Sequence, residues 1–367
     1  MKRALIVLLL LAVAAGGLFA QVTFSGHVQS GIGIALPNEG DTTLHWFSRD
    51  AGQRYRFDLS ASYTNPDGTA GASGGLRNNG ADPWNLNGAS VWVEPIDNVF
   101  RLQAGTGGPG GFASLGSWNE NNGAADSGGL NIRLTPALDG MTFALGASIN
   151  PNNVTFDKSG YRFGASFGLP GTLNVAGNLN SQYNADNDAR TNTVYAGINV
   201  PALYAASGQT GLSRVAVDLY VPNLSDLGWV GIGPVVGFNV VNVTEAGALS
   251  TTLQSRIFMP LKDEFEMDYW VGLGLGLPLT STVRADLNAG YEGKGTIPGA
   301  AGAISTADGG GTGRSITGGT DPAFIVRPSV TFNIGGGTLE TGWSMQALLA
   351  SETVIYNSLY AYFRVGF

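Results

Sequence analysis

Arg54-Tyr55-Arg56-Phe57-Asp58-Leu59-Ser60-Ala61-Ser62-Tyr63 is the stretch that decides the fold. In an extended chain Tyr55, Phe57, Leu59, Ala61 and Tyr63 fall on one face, and Arg54, Arg56, Asp58, Ser60 and Ser62 on the other, because successive strand side chains point to opposite sides. The period returns from Thr172 to Tyr183, where Leu173, Val175, Leu179 and Tyr183 oppose Thr172, Asn174, Asn178, Asn180 and Gln182. Similar segments run from Val99 to Ala104, Leu130 to Thr135, Met141 to Ile149, Tyr161 to Leu169, Val215 to Val221, Leu249 to Phe258, Met267 to Leu277 and Val283 to Tyr291. Beyond the first residues no run reaches the length of a membrane helix, and no long amphipathic helix is available to cover a sheet.

Composition narrows the setting. Only 13% of residues are charged, against about 25% in soluble domains. Hydrophobic residues stop at 43%, and 56 of 367 positions are Gly. Too few charges for a wet surface all round, combined with too much Gly for a packed core or helical bundle, fits a membrane β-barrel, whose alternate residues face lipid and lumen. The chain has no Cys, which removes disulfides, thiolate metal sites and thiol nucleophiles.

The N-terminus reads as an export leader. Lys2 and Arg3 precede an apolar run from Leu5 to Val13, and Gly16, Gly17 and Ala20 form a small-residue exit, with Leu18 larger than such a site usually holds. The expected division is a signal peptide over residues 1–20 and a barrel over 21–367, an uncleaved anchor being the alternative. Removing the leader leaves 17 basic residues against 27 acidic ones, a formal charge of −10. That balance disfavours nucleic acid as a partner.

Connections alternate in length. Tight turns are expected at Asn65 to Gly68, Glu94 to Asp97, Pro136 to Gly140, Pro170-Gly171, Pro278-Leu279 and Gly335 to Gly337. Longer loops fall at Pro37 to Gly52, Gly107 to Gly128, Asn184 to Thr191 and Gly293 to Pro322. With the N-terminus periplasmic, the turns lie on that side and the loops outside, giving about 18 strands, or 16 by the next count. Thr69 to Leu86 and Pro201 to Leu212 are where Gly and Ala blur the alternation. Trp46, Phe47, Trp84, Trp118, Trp229, Trp270 and Tyr291 lie near strand ends, where aromatic rings suit headgroup depth.

The last segment, Ser358-Leu359-Tyr360-Ala361-Tyr362-Phe363-Arg364-Val365-Gly366-Phe367, resembles the C-terminal assembly signal of Gram-negative outer-membrane barrels. Leu359, Ala361, Phe363, Val365 and Phe367 carry the likeness, Phe367 taking the terminal aromatic position. The resemblance is to the general porin class. It implies an all-β, antiparallel up-and-down transmembrane barrel in the outer membrane of a diderm bacterium, with no enzyme activity and no cofactor. The implied partners are outer-membrane lipid, the barrel-assembly machinery, small hydrophilic solutes or ions, and further copies of the chain in a homo-oligomer.

A barrel of about 18 strands has a backbone radius of about 18 Å, wider than side chains can fill. Gly107 to Gly128 is similar to the inward-folding loop of general porins and is a candidate constriction, although the acidic pattern of that loop is missing. Arg54, Arg56, Arg101, Arg133, Arg162, Arg214, Arg256, Arg284, Arg327 and Arg364 lie on the proposed strands, most on polar faces. A cation on the lipid face costs about 2–4 kcal/mol at mid-membrane, so the first nine are expected to line the pore. The strand acids are fewer, mainly Asp58, Glu94, Asp218, Asp268, Asp286 and Glu340. Passive diffusion with mild anion preference follows, since the local field governs selectivity; the alternative for these arginines is pairing with carboxylates that stiffens the wall.

Enzyme chemistry has little to work with. His27, in the first strand, and His45, in the first loop, are the only imidazoles. Gly71-Ala72-Ser73-Gly74-Gly75 matches G-x-S-x-G without its strand-turn-helix setting. Asp186-Asn187-Asp188 could offer oxygens to Ca²⁺, against the simpler reading of a solvated loop. An adhesin, receptor or structural barrel acting through its loops, a channel specific for sugars or apolar molecules with aromatics in its lumen, and a secreted β-protein remain alternatives.

Overall fold

The computed structural model describes residues 22–37, 41–47, 55–78, 84–106, 129–150, 155–203, 211–262, 267–293, 322–349 and 352–367. Among these, nineteen β segments follow one another in a single sheet. They are β1 (Val22–Pro37), β2 (Thr43–Phe47), β3 (Tyr55–Thr64), β4 (Ala70–Asn78), β5 (Asn85–Ile96), β6 (Phe100–Gly105) and β7 (Gly129–Leu134). Next come β8 (Thr142–Asn150), β9 (Gly160–Leu169), β10 (Leu173–Asn184), β11 (Ala189–Asn199), β12 (Gly211–Val221) and β13 (Trp229–Thr244). The series ends with β14 (Gly247–Pro260), β15 (Asp268–Pro278), β16 (Val283–Glu292), β17 (Ala323–Ile334), β18 (Gly337–Leu349) and β19 (Thr353–Gly366).

From β3 onward each segment pairs antiparallel with the next, and β19 returns to β1 from His27↔Gly366 to Pro37↔Tyr356. The other edge of β1 carries two segments. β3 ends its ladder at Ser30↔Tyr55, and β2 takes over at Gly31↔Phe47. They therefore occupy one position in the wall, and the barrel has 18 strands. Closure pairs every wall position on both sides, with β2 registered against β1 alone, and such pairing is the condition for backbone to cross hydrocarbon.

The alternation fixes the faces. Along β1, Phe24, Val28, Ile32 and Leu36 are exposed, whereas Gln29, Gly31 and Gly33 between them are buried. The even count puts the start of β1 and the end of β19 at one rim, with the reversals at 65–69, 97–99, 135–141, 170–172, 245–246, 279–282 and 335–336. The β11–β12 connection leaves from this turn rim too, where Ala202 N–H donates to Thr172 O; the other connections leave from the loop rim. At Gly335 and Gly336 the tight reversal requires φ of 47° and 87°, which glycine adopts without a Cβ clash.

Several expectations need correction. Asn184 to Thr191 is not a long loop: β10 runs to Asn184 and β11 starts at Ala189, because the alternation continues through Arg190. Pro37 to Gly52 contains β2, so His45 is a strand residue. The turn expected at Glu94 to Asp97 moves to Asp97–Val99, where Val99 N–H donates to Ile96 O and Asn98 takes φ 55°. Pro95, lacking an N–H, is accommodated in the ladder irregularity between Val93 and Ile96. The blurred region after Thr69 holds β4, and the one after Pro201 a short 3-10 turn, Pro201–Leu203, before β12. The leader, Arg54, all of Gly107 to Gly128 with Trp118, and most of Gly293 to Pro322 lie outside the described residues.

Candidate functional site: the inner wall

Register carries the face assignment from strand to strand, since directly opposed residues share a side. Starting from inward Gln29, it places Arg56, Arg101, Arg133, Arg162, Arg214, Arg256, Arg284, Arg327 and Arg364 on the inner face. The structure brings several of them onto carboxylates. Asp58 accepts from Arg56 Nε and Arg77 Nε, each at 2.7 Å, with His27 Nε2 at 3.2 Å. His27, Asp58 and Arg77 form one rung across β1, β3 and β4. Arg101 contacts Glu94 at 2.5 Å and lies 4.1 Å from the centre of the Trp92 ring. Arg284 meets Asp286 at 2.7 Å, and Arg327 meets Glu340 at 2.6 Å while donating to Tyr360 Oη at 2.8 Å.

Arg77 and Glu292 are inner-face charges missing from the candidates above. The parity of Ser73, Gly75 and Arg77 marks the first. Glu292 ends β16 opposite inward Trp270.

The aromatic expectation is overturned at two positions. Trp229 and Trp270 point inward, away from the lipid interface. Trp229 packs on Phe258 with ring centres 5.1 Å apart and on Tyr220 at 5.9 Å, while Tyr195 joins the same cluster and donates to Asp218 at 2.6 Å. Apolar residues and glycines fill most positions on both faces of β13 and β15, Asn239 and Asp268 being the few inward polar marks, so polar–apolar alternation is weak there. The available signal is parity with glycine: Trp229 aligns with Gly231 and Gly233, and Trp270 with Gly272, Gly274 and Gly276. Trp84 and Tyr291 do lie on the outer face; the side chains of Trp46 and Phe47 are outside the description.

These rings make the interior uneven. Around them Tyr195, Val235 and Asp218 are 2%, 1% and 0% exposed. On the turn-rim side of β16–β19, by contrast, a cavity of about 1010 Å³ opens between Arg284, Arg327, Thr331, Asn333, Glu340 and Arg364.

Two motif readings find no supporting geometry. Gly71 to Gly75 lies within β4, and Ser73 Oγ is bonded to Ser90 Oγ at 2.9 Å. Asp186 to Asp188 forms a short reversal in which Asp188 accepts from Tyr183 and faces Lys158. The described residues contain no His, Cys, Asp and Glu grouping able to hold a metal. The residues of the C-terminal signal, Leu359, Phe363, Val365 and Phe367, are exposed on the outer face, with Ala361 between them partly covered. Phe367 exchanges backbone hydrogen bonds with Gly26, each 3.0 Å.

Among solved structures, Pseudomonas aeruginosa OpdL aligns with a TM-score of 0.57 at 10% identity, over 95% of this chain and 99% of its own. The chain has the fold of the outer-membrane porins. Pseudomonas aeruginosa OpdQ aligns with this porin-fold barrel at 0.54 and 9% identity, over 94% and 98%. OpdO of the same organism aligns at 0.54 and 10%, over 95% and 97%. No protein-family model and no curated protein sequence matches the porin-fold chain.

Proposed function

We propose that this barrel is an outer-membrane porin that lets ions and small hydrophilic solutes diffuse passively, with a mild preference for anions. The observation that carries the reading is a closed wall with an apolar exterior and an ion-studded inner face opening on a large cavity. On that inner face, among the described residues, the arginines outnumber the carboxylates Asp58, Glu94, Asp218, Asp268, Asp286, Glu292 and Glu340. Local field sets selectivity, so this excess outweighs the acidic total of the chain. The proposed pore lining is Arg56, Arg101, Arg133, Arg162, Arg214, Arg256, Arg284 and Arg327, with Arg54 sharing their strand parity. Outer-membrane lipid meets the exposed apolar face, and β19 offers Leu359, Ala361, Phe363, Val365 and Phe367 to the assembly machinery. Homo-oligomers are compatible with that role.

Planar-bilayer recordings of the refolded protein test the reading. Stepwise openings with a reversal potential on the anion side of zero in a salt gradient are expected. A barrel that gives no current, or clear cation selectivity, rejects respectively the channel or its preference.

A further inference from the structure

The inner face of β15 is stripped of side chains over three consecutive inward positions, Gly272, Gly274 and Gly276. Beside them, β14 presents Gln254, Thr252 and Ser250, and β16 presents Gly290, Asn288 and Asp286, each directly opposite in register. The result is a groove of about 260 Å³ in the wall, joined to the larger cavity through Arg284, Asp286, Asn288 and Arg327. That volume is below the roughly 300–1,000 Å³ of pockets for drug-sized ligands and suits a single small ring.

Its two ends differ. At one, the Trp270 indole lies over Gly272, where a Cβ would come within 2.6 Å of the ring. At the other, the Arg284 guanidinium lies over Gly276. Between them Gly274 is open, its nearest neighbour Asn288 Oδ1 at 3.5 Å. The rigid indole therefore favours glycine at 272, the flexible Arg284 guanidinium can move aside from 276, and bare backbone is left at the centre.

The chemistry of the lining identifies the occupant. The flanking groups are uncharged hydroxyls and amides, which donate and accept. The charges are balanced: Arg284 is held by Asp286, and Arg327 by Glu340. A free anion gains little beside these carboxylates. Trp270 Nε1 is covered beside Gly290, so the indole offers a solute its ring and not its N–H. An apolar ring face for the indole and hydroxyls for the amides describe a hydroxylated ring.

We propose that this groove is a weak subsite for a neutral monosaccharide, which lies on the glycine floor against Trp270 during passage. The proposal deepens the channel reading by naming a solute class. Binding is tested apart from conduction, by saturation-transfer NMR of the refolded barrel with D-glucose, with acyclic D-sorbitol and D-gluconate as competitors. Saturable transfer to glucose, displaced by neither competitor, is the expected result. Gly274→Leu fills the floor, and Trp270→Ala removes the ring. Each is expected to raise the half-saturating glucose concentration about fivefold or more, while Gly146→Leu, on the inner face of β8, leaves it unchanged. If Gly274→Leu does not fold, Trp270→Ala alone decides. No transfer to glucose, equal transfer in Gly274→Leu or Trp270→Ala, or tighter binding of gluconate overturns the proposal. Glucose binding without ion current rejects the channel and leaves the subsite standing; current without glucose binding does the reverse.

Discussion

The inner wall at β1 and β3 to β6 and the inner wall at β11 to β14 obey the same alternation and do opposite things with it. The first spends its inward positions on charge, stitching neighbouring strands through the His27–Asp58–Arg77 rung and the Glu94–Arg101 pair. The second fills space with Tyr195, Trp229 and Phe258, and links Tyr195 to Asp218. A polar wall can border water; a ring cluster excludes it. The barrel therefore places solvent by sector, through side-chain size and charge, with strand number setting only the outer limit.

The comparison is broken most forcefully in the ionic sector. Asp58→Ala leaves Arg56, Arg77 and His27 facing one another, and losing one partner of a buried ion cluster costs about 3–5 kcal/mol. The unfolding midpoint of the refolded barrel in guanidinium is expected to drop accordingly. A midpoint matching the unaltered protein would mean that water already screens the rung.

Phe258→Ala strikes the ring sector at a side chain only 2% exposed. Removing a buried Phe costs about 3 kcal/mol when the space does not collapse, and the opened space is expected to increase single-channel conductance. Unchanged conductance would place the conducting route away from this cluster. Tyr195→Phe is gentler, since it keeps the ring and deletes the bond to Asp218. The expected loss is about 1–2 kcal/mol, set by a buried carboxylate deprived of a donor.

The smallest effect sharpens the contrast between buried and exposed acids. At the loop rim Asp188 takes a hydrogen bond from Tyr183 and faces Lys158, and these hold its carboxyl below the usual range. Whatever stability it adds is present above the ordinary carboxylate value and lost as pH falls through the lowered one. Carboxyl NMR should give Asp188 a depressed midpoint, and Tyr183→Phe should bring it back toward normal with no measurable change in unfolding midpoint.

Much of the inner wall is legible in the chain because charge has only one tolerable side in a membrane sheet. Arg133, Arg162 and Arg284 are assigned inward by that cost alone. Trp229 and Trp270 are not, because an aromatic ring is acceptable on either face and the few polar residues that share their parity, Asn239 and Asp268, stand among glycines and apolar neighbours. The glycine groove escapes for a related reason: Gly274 states the absence of a side chain, not what stands beside the gap.

By itself the sequence determined the period of two, the lipid face, the inward direction of the strand arginines and the parity that brings both ends to one rim. Each follows from local geometry and from the cost of charge in hydrocarbon. Only the tertiary structure decided which inward groups meet. Asp58 finds Arg77 nineteen residues away, and Tyr362 donates to Gln29 across 333 residues at the closing seam. Register and closure make those neighbours, and neither is a property of any single strand.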